Sequence, residues 1–189
     1  MMIENDIKAC IQVLKQGGLI LYPTDTIWGI GCDATNEKAV ERIYKLKNRN
    51  EAKSMIILVA DESEILKYTQ HPSLEIYDYI KGISRPTTVI YQQAIHLAKN
   101  LVNQDGSIGI RIVQDDFCRK LIRAFGKPIV STSSNVSGYP PPKIFSDIDV
   151  LIKMGVNYIV QHRQEEQVPG IPSTVIKMNP DGSFEIIRP

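Results

Sequence analysis

Short apolar runs alternate with amphipathic stretches along this chain, and their spacing predicts interleaved strands and helices. Ile7, Cys10, Ile11 and Leu14 recur at helical intervals behind Asp6. That pattern predicts a helix capped by Asp6, running to about Lys15 and ended by Gly17-Gly18. Leu19 to Tyr22 is wholly apolar and reads as a buried strand stopped by Pro23, with a second extended piece from Ile27 to Cys32. Asn36 can cap a helix carrying Ala39, Val40, Ile43, Tyr44 and Lys47 at helical spacing. Further strands are expected at Met55 to Val59, Thr87 to Tyr91, Ser107 to Val113, Pro128 to Ser133, Tyr158 to Gln161, Thr174 to Met178 and Phe184 to Ile187. Two short helices are expected between Glu62 and Ile80. One helix is capped by Asp115 or Asp116 and closed by Gly126; another begins at Ser146 or Asp147 and ends near Gly155.

This irregular interleaving predicts an α/β (α+β) layer fold with a mixed sheet, not a regular doubly wound one. At 189 residues, a single domain over positions 1 to 189 is expected, large enough to bury a core. The polar, Pro- and Gly-containing stretch Gln164 to Pro172 is the best candidate for a mobile loop.

Composition narrows the function classes. Hydrophobic residues make up 43% and charged residues 23%, as in soluble globular proteins. No apolar run is long enough to span a membrane, and Met1 to Asp6 lacks a signal-peptide pattern, so a cytoplasmic location is expected. A net charge of +1 gives no global footprint for nucleic acid, though it allows a local basic patch. Cys10, Cys32 and Cys118 match no metal or redox spacing and read as reduced, buried thiols. His71, His96 and His162 are scattered, so no protein-held transition metal is expected. Walker A, G-x-G-x-x-G and kinase patterns are absent, as is a Ser-His-Asp order. An enzyme built from these parts would work by positioning and electrostatics.

Candidate chemistry concentrates at strand ends. Tyr22-Pro23-Thr24-Asp25-Thr26 follows a buried strand, where α/β folds tend to bind ligands, and the single tryptophan, Trp28, comes directly after. In isolation it reads equally as a proline-initiated turn. Lys45-Leu46-Lys47-Asn48-Arg49, with Lys53 beyond, suits either a solvated helix end or a phosphate site. In Ser107 to Val113, alternation buries Ile108, Ile110 and Ile112 and puts Ser107, Gly109 and Arg111 on the opposite face. Gly109 would leave that face open to a ligand. Ser131-Thr132-Ser133-Ser134-Asn135-Val136-Ser137-Gly138 carries five hydroxyls and a carboxamide in eight residues. If extended, it points Ser131, Ser133 and Asn135 one way and Thr132 and Ser134 the other. Taken alone it reads as a turn that bonds to itself. Gly170 to Val175 and Arg188 are weaker single signals.

In this order, the segments Gly18 to Gly31, Lys47-Asn48-Arg49, Ser107 to Arg111, Ser131 to Gly138, Ser173-Thr174-Val175 and Ile187-Arg188-Pro189 resemble the YrdC-like family of L-threonylcarbamoyl-AMP synthases. The resemblance runs from about residue 7 to Pro189 and is to the short, single-domain form. It implies a twisted mixed sheet flanked by helices, with a concave basic surface. It implies a nucleotidyltransferase that converts L-threonine, bicarbonate and ATP, with Mg²⁺, into threonylcarbamoyl-AMP and pyrophosphate. Partner proteins of the threonylcarbamoyl-transfer complex would then deliver the group to tRNA, itself a further partner. By position, Thr26, Arg111, Ser131 and Ser173 resemble the threonine-binding set. Lys47, Arg49, Lys53, Ser107, Ser133, Asn135, Pro141 and Arg188 resemble the ATP set. Arg49, Lys53 and Arg111 are the expected catalytic groups, and Asp25 is the one candidate base.

Three places depart from the family pattern: Ser84-Arg85-Pro86-Thr87-Thr88 stands for Pro-Gly-Pro-x-Thr, Asn50 for a proline, and Leu58 for a histidine of some members. Non-synthase paralogues tend to lose the Lys-x-Arg and Ser-x-Asn pieces, which persist here as Lys47/Arg49 and Ser133/Asn135. The alternative readings are a non-catalytic RNA-binding module, bound to tRNA or the ribosome, and, last, a carbamoyl-transfer domain.

Overall fold

The computed structural model describes residues 2–49, 55–70, 76, 80, 82–83, 85–179 and 183–189. Among these, nine strands form one mixed sheet in the order β7-β1-β2-β6-β3-β5-β4-β8-β9. The strands are β1 Ile20–Tyr22, β2 Gly29–Gly31, β3 Ile56–Val59, β4 Thr87–Tyr91 and β5 Ile108–Ile112. They continue with β6 Ile129–Ser133, β7 Tyr158–Ile159, β8 Thr174–Met178 and β9 Phe184–Arg188. The α-helices whose full extent lies among the described residues are α1 Met2–Lys15, α2 Glu37–Lys47, α3 Asp116–Phe125 and α4 Val150–Gly155. Parallel pairs (β3 with β5, β4 with β8, β1 with β7) are mixed with antiparallel ones, as the irregular spacing predicted. No helix among the described residues is long and apolar enough to cross a membrane.

Caps fix the helices where the sequence placed them, with two exceptions. Asn36 accepts the Ala39 N–H at 3.2 Å, Asp115 accepts the Cys118 N–H at 2.8 Å, and Gly126 closes α3 in the left-handed region. Asp6, however, is no cap. It lies inside α1, 1% exposed, and receives the Tyr158 hydroxyl at 2.6 Å and the N–H groups of Gln161 and His162 at 3.1 and 2.9 Å. A carboxylate this buried needs such donors, and they pin α1 to the end of β7. The helix expected from Ser146 starts later, behind Asp149, after a 3₁₀ turn at Phe145–Asp147. A 3₁₀ helix, Glu62–Lys67, opens the region where two short helices were expected; most of the remainder lies outside the described residues.

One face of the sheet carries a continuous apolar row. Leu21, Ile30, Ile57, Ile110 and Val130 are at most 1% exposed, and Phe117, Leu121 and Ile122 bring the apolar stripe of α3 onto them. At ~25 cal/mol per Å², each such buried aliphatic side chain contributes roughly 1.5–3 kcal/mol. Cys10, Cys32 and Cys118 are buried free thiols, and burial pushes the Cys10 thiol up to about 12. Leu58 is fully buried and stands opposite Arg111 in the β3–β5 register.

Candidate active site

The register aligns the site. Gly29 faces Ser133, Ile56 faces both Ser131 and Gly109, Leu58 faces Arg111, and Val175 lies between Thr88 and Arg188. All of this row but Leu58 and Gly109 borders a cavity of about 330 Å³, to which seven strands contribute. Thr26, Thr88, Ser131, Ser133 and Ser173 supply hydroxyls to its lining, and Arg49, Arg111 and Arg188 supply guanidinium groups. Pro141 and Thr132 also line it. No carboxylate is among the described lining residues.

The whole expected threonine set, Thr26, Arg111, Ser131 and Ser173, is thus brought together with Arg49, Ser133, Pro141 and Arg188 of the ATP set. Arg111 is 3% exposed. Its Nη2 lies 3.1 Å from Asp25 Oδ1, yet Nε and Nη2 have no aligned hydrogen-bond partner among the described residues. Proximity and bonding geometry disagree here, and the angle decides: the pair is an ion pair, not a hydrogen bond. Arg188 donates through Nε and Nη2 to the Ser173 carbonyl at 3.0 and 2.8 Å, and the Ser173 hydroxyl bonds that of Thr88 at 2.9 Å. Burial, then the nearby Arg111 and Arg85 charges, lower the Arg188 pKa. Burial does the same at Arg49. Like charges around a cavity with no carboxylate among its described lining residues favour an anion.

Local backbone explains how Lys47 and Arg49 part company. Helix α2 ends at Asn48, in the left-handed region at φ 48°, and its N–H returns to the Lys45 and Tyr44 carbonyls. The reversal turns Arg49 into the cavity and leaves Lys47 inside the protein, 1% exposed. The Lys47 ammonium donates to the carbonyls of Ser133 and Asn135. Burial pulls its pKa down to about 7, with the Arg49 charge adding to the effect. Lys47 therefore anchors the β6 exit and does not line the cavity. Lys45 is a solvated helix-end cation paired with Glu41 at 2.6 Å.

Other expectations need correction. Ser107 is 2% exposed, its hydroxyl donating to Asp105 at 2.6 Å and accepting from Asn103 at 2.9 Å, and it is absent from the lining. Gly109 does not open a path for ligand: a Cβ there would meet Ile56 Cγ2 at 2.9 Å and Thr88 Cγ2 at 3.3 Å. Its smallness lets those two side chains close over the strand. Asn135 spends its amide on the Val136 and Tyr139 carbonyls and holds the turn. Thr132 borders the cavity despite the alternation, whereas Ser134 faces away but is fully buried, bonded to the Trp28 carbonyl at 3.0 Å. Lys53, Asn50 and Ser84 lie outside the described residues.

Sequence reasoning missed Thr88 and Arg163. Thr88 shares the cavity face with Gly109 across the β4–β5 pair, a placement the alternation of Thr88 and Ile90 could have signalled. Arg163, at φ 70°, donates to the Thr24 carbonyl at 3.1 Å and to Asp115 at 3.0 Å, tying the loop after β7 to the turn that carries Thr26. In that loop Gly170 packs so closely on Thr26 and Ile27 that a Cβ would overlap their backbone.

A family model described as Telomere recombination, for Sua5, YciO and YrdC proteins, matches residues 12–189. A Pseudoalteromonas translucida protein named threonylcarbamoyl-AMP synthase is 34% identical over 138 residues, covering 71% of this chain and 74% of that one. Among solved structures, P. abyssi Sua5 complexed with L-threonine shares the fold with a TM-score of 0.81 at 23% identity. That match covers 91% of this chain, which spans half the length of the P. abyssi one. E. coli YciO aligns with a TM-score of 0.83 at 22% identity, over 98% of this chain and 89% of its own.

Proposed function

The chain belongs to the Sua5/YciO/YrdC family, and on that premise we propose that it is an L-threonylcarbamoyl-AMP synthase. One observation carries the reading: a buried guanidinium, Arg111, has unspent donors and lines a cavity whose other polar side chains are hydroxyls and two more arginines. Unspent buried donors are costly unless a ligand completes them, and a carboxylate fits a guanidinium fork. L-Threonine supplies that carboxylate, and Thr26, Ser131 and Ser173 supply partners for its amine and hydroxyl.

ATP lies across Ser133 and Pro141, with Arg49 and Arg188 on its phosphates. The threonine nitrogen attacks bicarbonate carbon and releases water, giving a carbamate. A carbamate oxygen then attacks the α-phosphorus, the bond to the β-phosphate oxygen breaks, and pyrophosphate leaves. Negative charge accumulates on the phosphates as that bond breaks, so fixed arginines stabilise the transition state more than the ground state. Mg²⁺ enters on the ATP phosphates as part of the substrate. No three His, Cys, Asp or Glu residues among those described could hold a metal, so no step is assigned to a protein-held ion. The product passes to a transfer complex that modifies tRNA.

Pyrophosphate release from ATP that requires both L-threonine and bicarbonate is the expected result. ATP turnover indifferent to threonine, in folded protein, overturns the reading. Tight tRNA binding with a steep salt dependence and no threonine effect would favour the RNA-binding module instead.

A further inference from the structure

Asp25 stands behind the reaction cavity, not in it. Its carboxylate borders a separate cavity of about 610 Å³ on the far side of the Thr24–Ile27 turn, while Arg111 borders the reaction cavity. The two side chains are 7% and 4% exposed, and Asp25 Oδ1 lies 3.1 Å from Arg111 Nη2. Asp25 Oδ2 accepts the Gln114 N–H at 3.1 Å. Gln114 lies two residues past the end of β5, the strand that bears Arg111, so carboxylate and guanidinium are referenced to the same piece of backbone.

The turn carrying Asp25 is itself fixed. Thr24 Oγ1 donates to the Ile27 carbonyl at 2.8 Å and accepts the Thr26 N–H at 3.1 Å. The Cys118 thiol donates to the Pro23 carbonyl at 3.2 Å, and Arg163 holds the Thr24 carbonyl. The charge that the Arg188 pKa shift implicates beside it is Arg111 itself, which would be repelled by its neighbour. A long arginine side chain beside a repelling cation is held in one orientation by a fixed counter-charge.

We infer that Asp25 is a positioning residue: paired with Nη2, it holds the Arg111 guanidinium at the wall of the cavity and acts on substrate only through it. The inference rests on the proposed reading of Arg111 as the partner of the threonine carboxylate. It removes Asp25 from the role of general base.

The test compares Asp25→Ala and Asp25→Asn with the unaltered protein, reading L-threonine and ATP affinities separately by calorimetry and kcat and KM by pyrophosphate release. Losing a charge-assisted contact predicts a roughly 10- to 100-fold weaker threonine affinity in Asp25→Ala. The loss should lie in threonine KM, ATP affinity should hold, and Asn, which keeps an acceptor in place, should recover part of it. Unchanged threonine affinity, or a parallel fall in both affinities, overturns the inference. So does a collapse of kcat in Asp25→Asn with threonine KM unmoved, which would mark proton transfer. If Asp25→Ala does not fold, the KM–kcat split in Asp25→Asn decides alone. If the unaltered protein binds no threonine, the synthase reading falls and this inference with it.

Discussion

Arg111 and Lys47 are both cations buried to within a few per cent, and they do opposite things. Arg111 sits on β5 at the cavity wall, with Asp25 beside its Nη2 and with Nε and Nη2 outside any aligned hydrogen bond among the described residues. Lys47 sits at the end of α2 with its ammonium spent on two backbone carbonyls. The difference shows that burial alone does not mark a ligand-binding charge. What marks it is unused bonding capacity beside open space, because folding leaves such a group unsatisfied only when something else completes it.

The strongest way to break the comparison is to alter Arg111. Arg111→Ala strands the buried Asp25 carboxylate and should cost about 3–5 kcal/mol of stability, so a loss of turnover there would be ambiguous. Arg111→Lys keeps a positive charge for Asp25 but loses the fork. It should lower kcat/KM for threonine by ~100-fold, the equivalent of about 3 kcal/mol, with a small change in melting temperature. Steady-state kinetics beside thermal unfolding checks both halves.

Lys47→Met should behave differently. It leaves the Ser133 and Asn135 carbonyls unpartnered and should destabilise the protein by about 1–3 kcal/mol in urea. Turnover should fall because the β6 exit loosens, with ATP KM rising more than threonine KM.

Lys47 also predicts a pH dependence. Its folded pKa, about 7, lies below the ordinary lysine value of 10.5. Between the two, the unfolded chain holds a proton that the folded chain lacks, so this group makes stability rise with pH from about 7 upward. Its contribution is lowest below pH 7. Urea unfolding from pH 7 to 9 should show a rise in the unaltered protein that flattens in Lys47→Met. Equal slopes would place the proton on Lys47 throughout.

Ser107→Ala is the smallest expected effect. Its hydroxyl is engaged by Asp105 and Asn103, so the change should cost about 1 kcal/mol of stability and shift ATP KM by no more than ~3-fold. A tenfold rise would restore Ser107 to the nucleotide site.

Much of this was legible in the chain, for identifiable reasons. Asn36, Asp115 and Gly126 act within three or four residues of themselves, so their capping roles could be read locally. Ser131, Arg111 and Ser173 could be placed as a set only through resemblance, since their meeting depends on sheet order. The misreadings share a cause. Asp6, Ser107 and Lys47 are polar residues whose partners were chosen by tertiary packing: the far end of β7, a neighbouring turn and the β6 exit. Alternation gives a face, but not whether that face meets a cavity or a partner. Gly109 illustrates the same limit, because an open face in sequence is closed in space by Ile56 and Thr88.

The central claim is that this cavity joins threonine, bicarbonate and ATP around Arg111. Mass spectrometry of the purified protein incubated with those three substrates and Mg²⁺ tests it most directly. Threonylcarbamoyl-AMP should appear with the unaltered protein and form ~100-fold more slowly with Arg111→Lys at threonine below KM. Folded, unaltered protein that forms none of it, or a folded Arg111→Lys variant that forms as much, would contradict the account.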